Sequence, residues 1–419
     1  MKNLQDNIIK KCKLARSGAQ LLSKNTYKER NDAINLISYH LKKNIKKILI
    51  ENKKDCLLAK KNKLPEHLLD RLALDENRLK NIIKDINNIK KMKDPLGIYL
   101  ENIKRPNGLL IKKISVPLGV VAVVFESRPN VAVDVACLCI KSGNAAILKG
   151  GKEAKYSTEI LIKIIRRALS ESKVTKNAVI SLSNYSRDSV NYLFEMDQYV
   201  DVLVPRGGKS LVKSVKENSK IPVFYHLDGI CHTFIDEFAK KRMAIDVVFN
   251  AKMRRTSICG ATETILCHKN IAKLILPDLI NKLLNARCEI RGDIYTHHID
   301  KRVKKANKED WKTEYLDAIV SIKIVNNFQE AIEHIKKFSS KHTDAIITSK
   351  KINAIKFFKE VDSAIVMHNT STQFADGAEF GLGAEIGIAT GKLHARGPVG
   401  AKELTTYKYI VEGKGQLRK

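Results

Sequence analysis

Aromatic residues are scarce in this chain, at 6% of 419 positions with a single tryptophan. That scarcity excludes a surface built to stack nucleobases, even though 76 basic residues against 45 acidic ones leave a formal charge of +31. The excess is mostly lysine, scattered among asparagine and isoleucine, and genome composition suffices to explain it because all three have A/T-rich codons. No nucleic-acid partner is expected. Long apolar runs are missing as well. The longest, VPLGVVAVVF at 116–125, is far short of the ~20 residues a membrane helix needs. The opening MKNLQDNIIKKCK lacks the apolar core of a signal peptide, so a cytoplasmic protein with no membrane partner is expected. Eight cysteines in so long a chain make no disulfide framework. Cys231-His232 and Cys267-His268 match no zinc template and His297-His298 lies in a polar loop, so no metal site is expected. There are no repeats and no low-complexity linkers. The dinucleotide fingerprint is missing too: GLGAEIG at 381–387 is spaced G-x-G-x-x-x-G, and no strand runs directly into it.

What is present reads as α/β. The length points to two domains. Residues 1–95 carry apolar positions at helical spacing, such as Ile34, Leu36, Ile37 and Leu41, and Pro65 suits the start of a helix. Asn107-Gly108 lies between two β-prone arms and predicts a hairpin, serving either as an oligomer arm or as a plain surface loop. From 116 onward strands alternate with helices, the signature of a parallel sheet with crossover helices. Such sheets bind ligands at the carboxyl ends of their strands. Those ends carry FESRPN (125–130), LKGGKE (148–153) and VPRGG (204–208). A second α/β unit begins near His232, with strands at 263–268, 317–325, 344–349 and 363–368.

Three features carry chemistry. Gly207 and Gly208 stand between a strand and a helix, where exposed N–H groups and the helix dipole can hold a phosphate; an ordinary turn has the same look. Lys149 ends a strand beside two glycines, where it can pair with a phosphate or a ribose hydroxyl, or simply be solvated. Cys259, in RRTSICGATETIL, sits in a loop rather than an apolar run, just after Lys252, Arg254 and Arg255. Cationic neighbours lower a thiol pKa, and a thiol of pKa ~8.5 is only about 3% thiolate at pH 7. Read alone, Cys259 is a passive loop thiol at least as readily as a nucleophile.

It does not stand alone. VPLGVVAVVFESRPNVAVDVACLCIKSGNAAILKGGKEA, VPRGG, HLDGICH, NAKMRRTSICGATETIL, FGLGAEIG and KLHARGP…LTTYKY follow one another in that order. Together they resemble the γ-glutamyl phosphate reductases, a family of the aldehyde dehydrogenase superfamily, over residues 10–412. The resemblance implies an aldehyde dehydrogenase-like α/β fold: two three-layer parallel-sheet domains plus a small oligomerisation arm. It implies an NADPH-binding domain at 1–98 and 114–231, a catalytic domain at 232–375, and a hairpin and C-terminal segment at 99–113 and 376–419. The implied reaction is NADPH-dependent reduction of L-glutamyl 5-phosphate to L-glutamate 5-semialdehyde with release of phosphate, the second step of proline biosynthesis from glutamate.

The resemblance makes Cys259 the nucleophile, through a thioester, and Asn130 the amide that steadies the carbonyl oxygen. Lys149 matches the lysine at the adenosine ribose or its phosphate, and Pro117, Gly119, Gly150, Arg206, Gly207 and Gly208 fall with it on the cofactor side. Arg128, Arg255 and Arg396 are the candidates for the substrate's phosphate and carboxylate. A homo-oligomer is expected, as is contact with the glutamate 5-kinase that makes the labile acyl phosphate. One departure is informative. Aldehyde-oxidising relatives carry a glutamate base in the stretch that HLDGICH replaces, and Asp228 there is one methylene shorter and is not assigned as a base. An aldehyde-oxidising dehydrogenase of the same superfamily is the rival reading.

Overall fold

A computed structural model describes residues 2–418, which divide into two compact units. Of the described residues, the first comprises 2–225, 381–387 and 399–418, and the second 226–380 and 388–398.

The first unit opens with five helices, Lys2–Leu22, Tyr27–Lys43, Ile45–Lys61, Glu66–Leu72 and Glu76–Lys91. Their starts are written locally. Thr26 and Glu29 form a reciprocal capping box, and the Asp75 side chain accepts from the Arg78 N–H. Pro65 is the residue before a helix rather than inside its first turn. Four parallel strands follow, ordered Val179–Ser181, Ala145–Gly150, Val120–Phe125, Val202–Arg206. The two central strands are buried at every position, which is why they read as continuous apolar runs. Ile8, Cys12, Ala15 and Ala19 of the first helix pack into the same core as Val120, Ala122 and Ile147.

The hairpin forms with Tyr99–Lys104 and Leu110–Pro117 antiparallel. Gly108 alone takes a positive φ, +86°, so the turn differs from the tight two-residue type. Thr405–Glu412 pairs with the second arm of the hairpin, completing a three-stranded sheet.

The second unit is built on seven parallel strands, ordered Lys304–Lys305, Glu289–Gly292, Ile319–Val325, Thr262–His268, Cys231–Ile235, Thr343–Ile347, Ile365–His368. Helices Lys241–Met253 and Lys269–Asn285 cover one face with a core of Val248, Ile265, Leu276 and Ile280; Phe234, Leu266, Ile335 and Phe357 fill another cluster. Two of these strands, Glu289–Gly292 and Lys304–Lys305, are too short or too polar to announce themselves in the sequence.

The unit boundaries differ from 231/232 and from a separate 376–419 segment. Residues 226–231 go with the second unit because His226 Nδ1 donates to the Ile388 carbonyl at 2.7 Å and Gly229 lies against the Cys259 backbone. The C-terminal stretch is shared out. Ile388–Ala389 pairs with Gly397–Pro398 inside the second unit, whereas Thr405–Glu412 belongs to the hairpin sheet of the first. Among the described residues no helix is long and apolar enough to cross a membrane.

Candidate active site

Cys259 lies in the loop between helix Lys241–Met253 and strand Thr262–His268 and is half-buried. The loop is pinned from several sides. Gln373 Nε2 donates to the carbonyls of Ala251 (2.8 Å) and Arg255 (3.2 Å), and its Oε1 accepts from Arg254 Nε at 2.9 Å. Thr262 Oγ1 is bonded to Thr233 and Thr372, and the Cys231 thiol donates to the Cys259 carbonyl at 3.1 Å. A Cβ on Gly229 would lie 2.2 Å from that same carbonyl oxygen, so the HLDG turn can approach only because this residue is glycine.

The electrostatics single out this sulfur. Burial opposes its ionisation, yet the charge of His342 and a hydrogen bond from His226 together hold the Cys259 thiol well below the usual range. The other seven free cysteines go the other way. Burial pushes Cys12 and Cys288 up to about 12 and raises Cys56, Cys137, Cys139, Cys231 and Cys267. Only Cys259 is held toward the thiolate, the form that attacks.

The two imidazoles come from separate places. Because His226 gives Nδ1 to Ile388, its other nitrogen is left for the sulfur. His342 is fully buried; its Nδ1 contacts Thr343 Oγ1 at 2.9 Å and Cys231 Sγ at 3.7 Å, and its Nε2 has no further hydrogen-bond partner. It lowers the Cys259 thiol first by its charge and then by a hydrogen bond to that sulfur. Glu314, half-buried nearby, is raised by burial first and then by the charge of Cys259. That carboxyl is held toward its protonated form. We expect iodoacetamide to label Cys259 at pH 6 far faster than an ordinary thiol, and His342→Gln to slow that labelling by roughly tenfold per unit of pKa restored. A labelling profile that His342→Gln leaves in place would show that the histidine does not hold the thiolate.

The basic residues that precede Cys259 in the chain do something else. Lys252 is fully buried against Glu263, Nζ to Oε2 2.5 Å, and Arg254 is engaged with Gln373. Arg255 is exposed. None of the three is among the groups that lower the thiol. The expectation that these cations activate Cys259 is corrected: Lys252 and Arg254 are taken up in structural contacts, Arg255 faces solvent, and the leading lowering influences come from His342 and His226.

In the first unit, Phe125, Gly150 and Arg206 end adjacent strands in register. Ser127 takes a left-handed φ of +45°, with its N–H and hydroxyl both donating to Glu153 Oε1. The Gly208 N–H is not free, because it donates to Glu126 at 2.8 Å; Gly207 packs so closely on that carboxylate that a Cβ would lie 2.3 Å from it. Lys149 is buried, donates to the Gly150 carbonyl at 3.1 Å and faces the Tyr185 ring; burial lowers its pKa, with Glu153 opposing. Arg206 Nε is buried without a partner. A buried lysine and an orphaned guanidinium nitrogen at these strand ends fit an anionic dinucleotide.

The remaining expected residues are placed as follows. Gly119 has φ +128° and donates to Asn144 Oδ1, with Asp201 where a Cβ would go; Pro117 ends the hairpin strand opposite Thr405. Asn130 Nδ2 donates to Asp134 at 2.9 Å, and Arg128 is half-buried. The Arg396 guanidinium is engaged by Asp362, at 2.9 Å to the carboxylate and 3.0 Å to the carbonyl.

Sequence reading missed His226, His342, Glu314 and Gln373. HLDGICH was visible as a motif, so His226 was within reach; nothing in the sequence around the other three marks them.

The aldehyde dehydrogenase family matches residues 6–293. The γ-glutamyl phosphate reductase of Thermoanaerobacter pseudethanolicus is 46% identical over 409 residues, covering 98% of this chain and 99% of that protein. That of Rhodospirillum rubrum is 47% identical over 404 residues, covering 96% and 95%. Among solved structures, the γ-glutamyl phosphate reductase of Thermotoga maritima superimposes with a TM-score of 0.95 at 41% identity, covering 98% of this chain and all of that one.

Proposed function

This chain belongs to the γ-glutamyl phosphate reductases of the aldehyde dehydrogenase family, and from that premise we propose that it reduces L-glutamyl 5-phosphate to L-glutamate 5-semialdehyde with NADPH, releasing phosphate, as the second step of proline biosynthesis. The observation that carries the mechanism is the placement of Cys259 against His226 and His342, which hold its thiol well below the usual range.

The thiolate attacks the acyl phosphate carbon. A C–S bond forms, the C–O bond to phosphorus breaks, and the departing phosphate takes up one proton. The imidazoles beside the sulfur are placed to supply that proton to the leaving oxygen. NADPH, when bound, supplies the hydride that reduces the thioester, and Lys149, Gly150, Arg206, Gly207 and Gly208, with Pro117 and Gly119 behind them, are the residues that would hold it. Cys259 then leaves as a thiolate as the aldehyde forms, and covalent catalysis has divided one difficult substitution into two easier steps. Asn130 is assigned to the carbonyl oxygen, and Arg128, Arg255 and Arg396 to the substrate's anionic ends; Arg396 must leave Asp362 to serve.

Hydrolysis of the thioester would waste it, and it needs a base. In aldehyde-oxidising relatives that base is a glutamate in the stretch that HLDGICH replaces here, and its absence supports reduction over aldehyde oxidation. The same reading includes a cytoplasmic location, self-association through the hairpin at 99–117, and contact with the kinase that makes the acyl phosphate.

The reverse reaction tests it. Glutamate semialdehyde, phosphate and NADP⁺ should yield NADPH absorbance only when phosphate is present. Equal NADPH formation without phosphate, with glutamate as product, would establish the oxidising reading instead.

A further inference from the structure

The groups that activate Cys259 also have the composition of a metal site. The Cys259 sulfur and a nitrogen from each of His226 and His342 all lie within 4.8 Å of one another, and the two rings meet edge to face at 5.1 Å between centroids. A tetrahedral zinc, with Zn–S about 2.3 Å and Zn–N about 2.0 Å, holds its ligand atoms roughly 3.3–3.6 Å apart. The three atoms would have to close by at most about 1.5 Å, within the reach of small side-chain rotations.

Two further observations point to a ligand. His342 Nε2 is fully buried and has no partner beyond the hydrogen bond that His342 makes with the Cys259 sulfur, so a ligating nitrogen is left with only that sulfur to serve. The outer shell is also in place. Metal-bound imidazoles characteristically donate their second N–H to an oxygen, which fixes the ring. Here His226 Nδ1 is on the Ile388 carbonyl at 2.7 Å, and His342 Nδ1 is on Thr343 Oγ1 at 2.9 Å.

We propose that Cys259, His226 and His342 form a three-ligand site for a borderline-soft divalent cation, Zn²⁺, which reversibly blocks the nucleophile. One thiolate and two imidazoles select zinc or cobalt and reject magnesium and calcium, which want oxygen ligands. Three protein ligands leave a fourth position for water. Binding needs the thiolate and neutral imidazoles, so any proton these groups carry is released to solvent. The metal takes the lone pair that attacks the acyl phosphate, and an acylated Cys259 can no longer bind it; metal and substrate therefore exclude each other. As regulation, this rests on the reading of Cys259 as nucleophile, while the binding site does not.

Cobalt(II) titration of the full-length protein reads the site directly. One equivalent should give a thiolate-to-cobalt charge-transfer band in the near ultraviolet and four-coordinate bands in the visible. The bands should be absent in Cys259→Ala and in wild-type protein alkylated at Cys259 beforehand, a control that does not depend on the variant folding. His226→Gln and His342→Gln should each weaken cobalt binding by at least about 100-fold, since loss of an outer-shell partner alone costs 10–100-fold. Micromolar zinc should stop turnover of wild type, and a chelator should restore it. Bands that persist in both Cys259→Ala and the alkylated protein would move the metal to another thiol and overturn the site. Binding that neither histidine variant weakens would overturn it too. Turnover of metal-free Cys259→Ala separates the two claims: activity without the bands would remove the nucleophile and the regulation and leave the site, whereas bands without activity would remove the site and leave the nucleophile.

Discussion

Cys259→Ala is expected to lower NADPH formation in the reverse reaction by at least about three orders of magnitude, with NADP⁺ binding and the thermal unfolding midpoint nearly unchanged. The effect is large because no second thiol can substitute. Cys231 lies closest in the fold, but burial holds it well above the usual range, and its S–H is spent on the Cys259 carbonyl. The fold should survive because the lost atom is one half-buried sulfur, while the loop keeps Gln373, Thr262 and the Gly229 contact. Cys259→Ser should be nearly as inactive. A hydroxyl ionises so much less readily than a thiol that the same two histidines cannot hold it as the alkoxide. Retained turnover in the alanine variant would sink the mechanism.

Breaking the buried Lys252–Glu263 pair is expected to cost about 3–5 kcal/mol of stability, with the two halves of the pair unequal and oppositely dependent on pH. A buried group left without its partner can escape by becoming neutral. At pH 7 that costs about 4 kcal/mol for a carboxyl starting from its ordinary value and about 5 for a lysine; at pH 5 the figures are about 1 and about 7. Lys252→Met should therefore lose less stability at pH 5 than at pH 7, and Glu263→Gln should lose more. The intact protein shows the same sign. Burial, outweighing Lys252, pushes the Glu263 carboxyl up to about 7. A carboxyl raised on folding contributes stability that falls as the pH rises from its unfolded value, about 4.3, through about 7. Urea unfolding of wild type and both variants at the two pH values measures this. Equal losses that do not change with pH would mean that Lys252 and Glu263 are not the buried, mutually dependent pair described. The pair flanks the Cys259 loop, Lys252 before it and Glu263 after it, and Leu316, two residues past Glu314, donates its N–H to Glu263. Activity should follow stability here rather than fail independently.

The alternation of strand and helix, the Asn107-Gly108 hairpin and helices such as Lys241–Met253 and Phe328–Phe338 were legible in the sequence, because periodicity and turn chemistry are local properties. Cys259 was legible as a candidate from its small neighbours and its place in an ordered set of motifs. Its activation was not. The basic residues beside it in the chain were the visible cause, yet one is buried against Glu263 and one is engaged by Gln373. The charge on the sulfur is set by His226, from the turn before strand Cys231–Ile235, and His342, from the residue before strand Thr343–Ile347. No zinc template is legible either, because the three candidate ligands sit on three separate connections. A parallel sheet gathers its connecting segments in space while keeping them far apart in the chain. A pKa depends on distance and burial through space, so the sequence alone determined which thiol stood in a loop, and only the tertiary structure decided that it is held toward the thiolate.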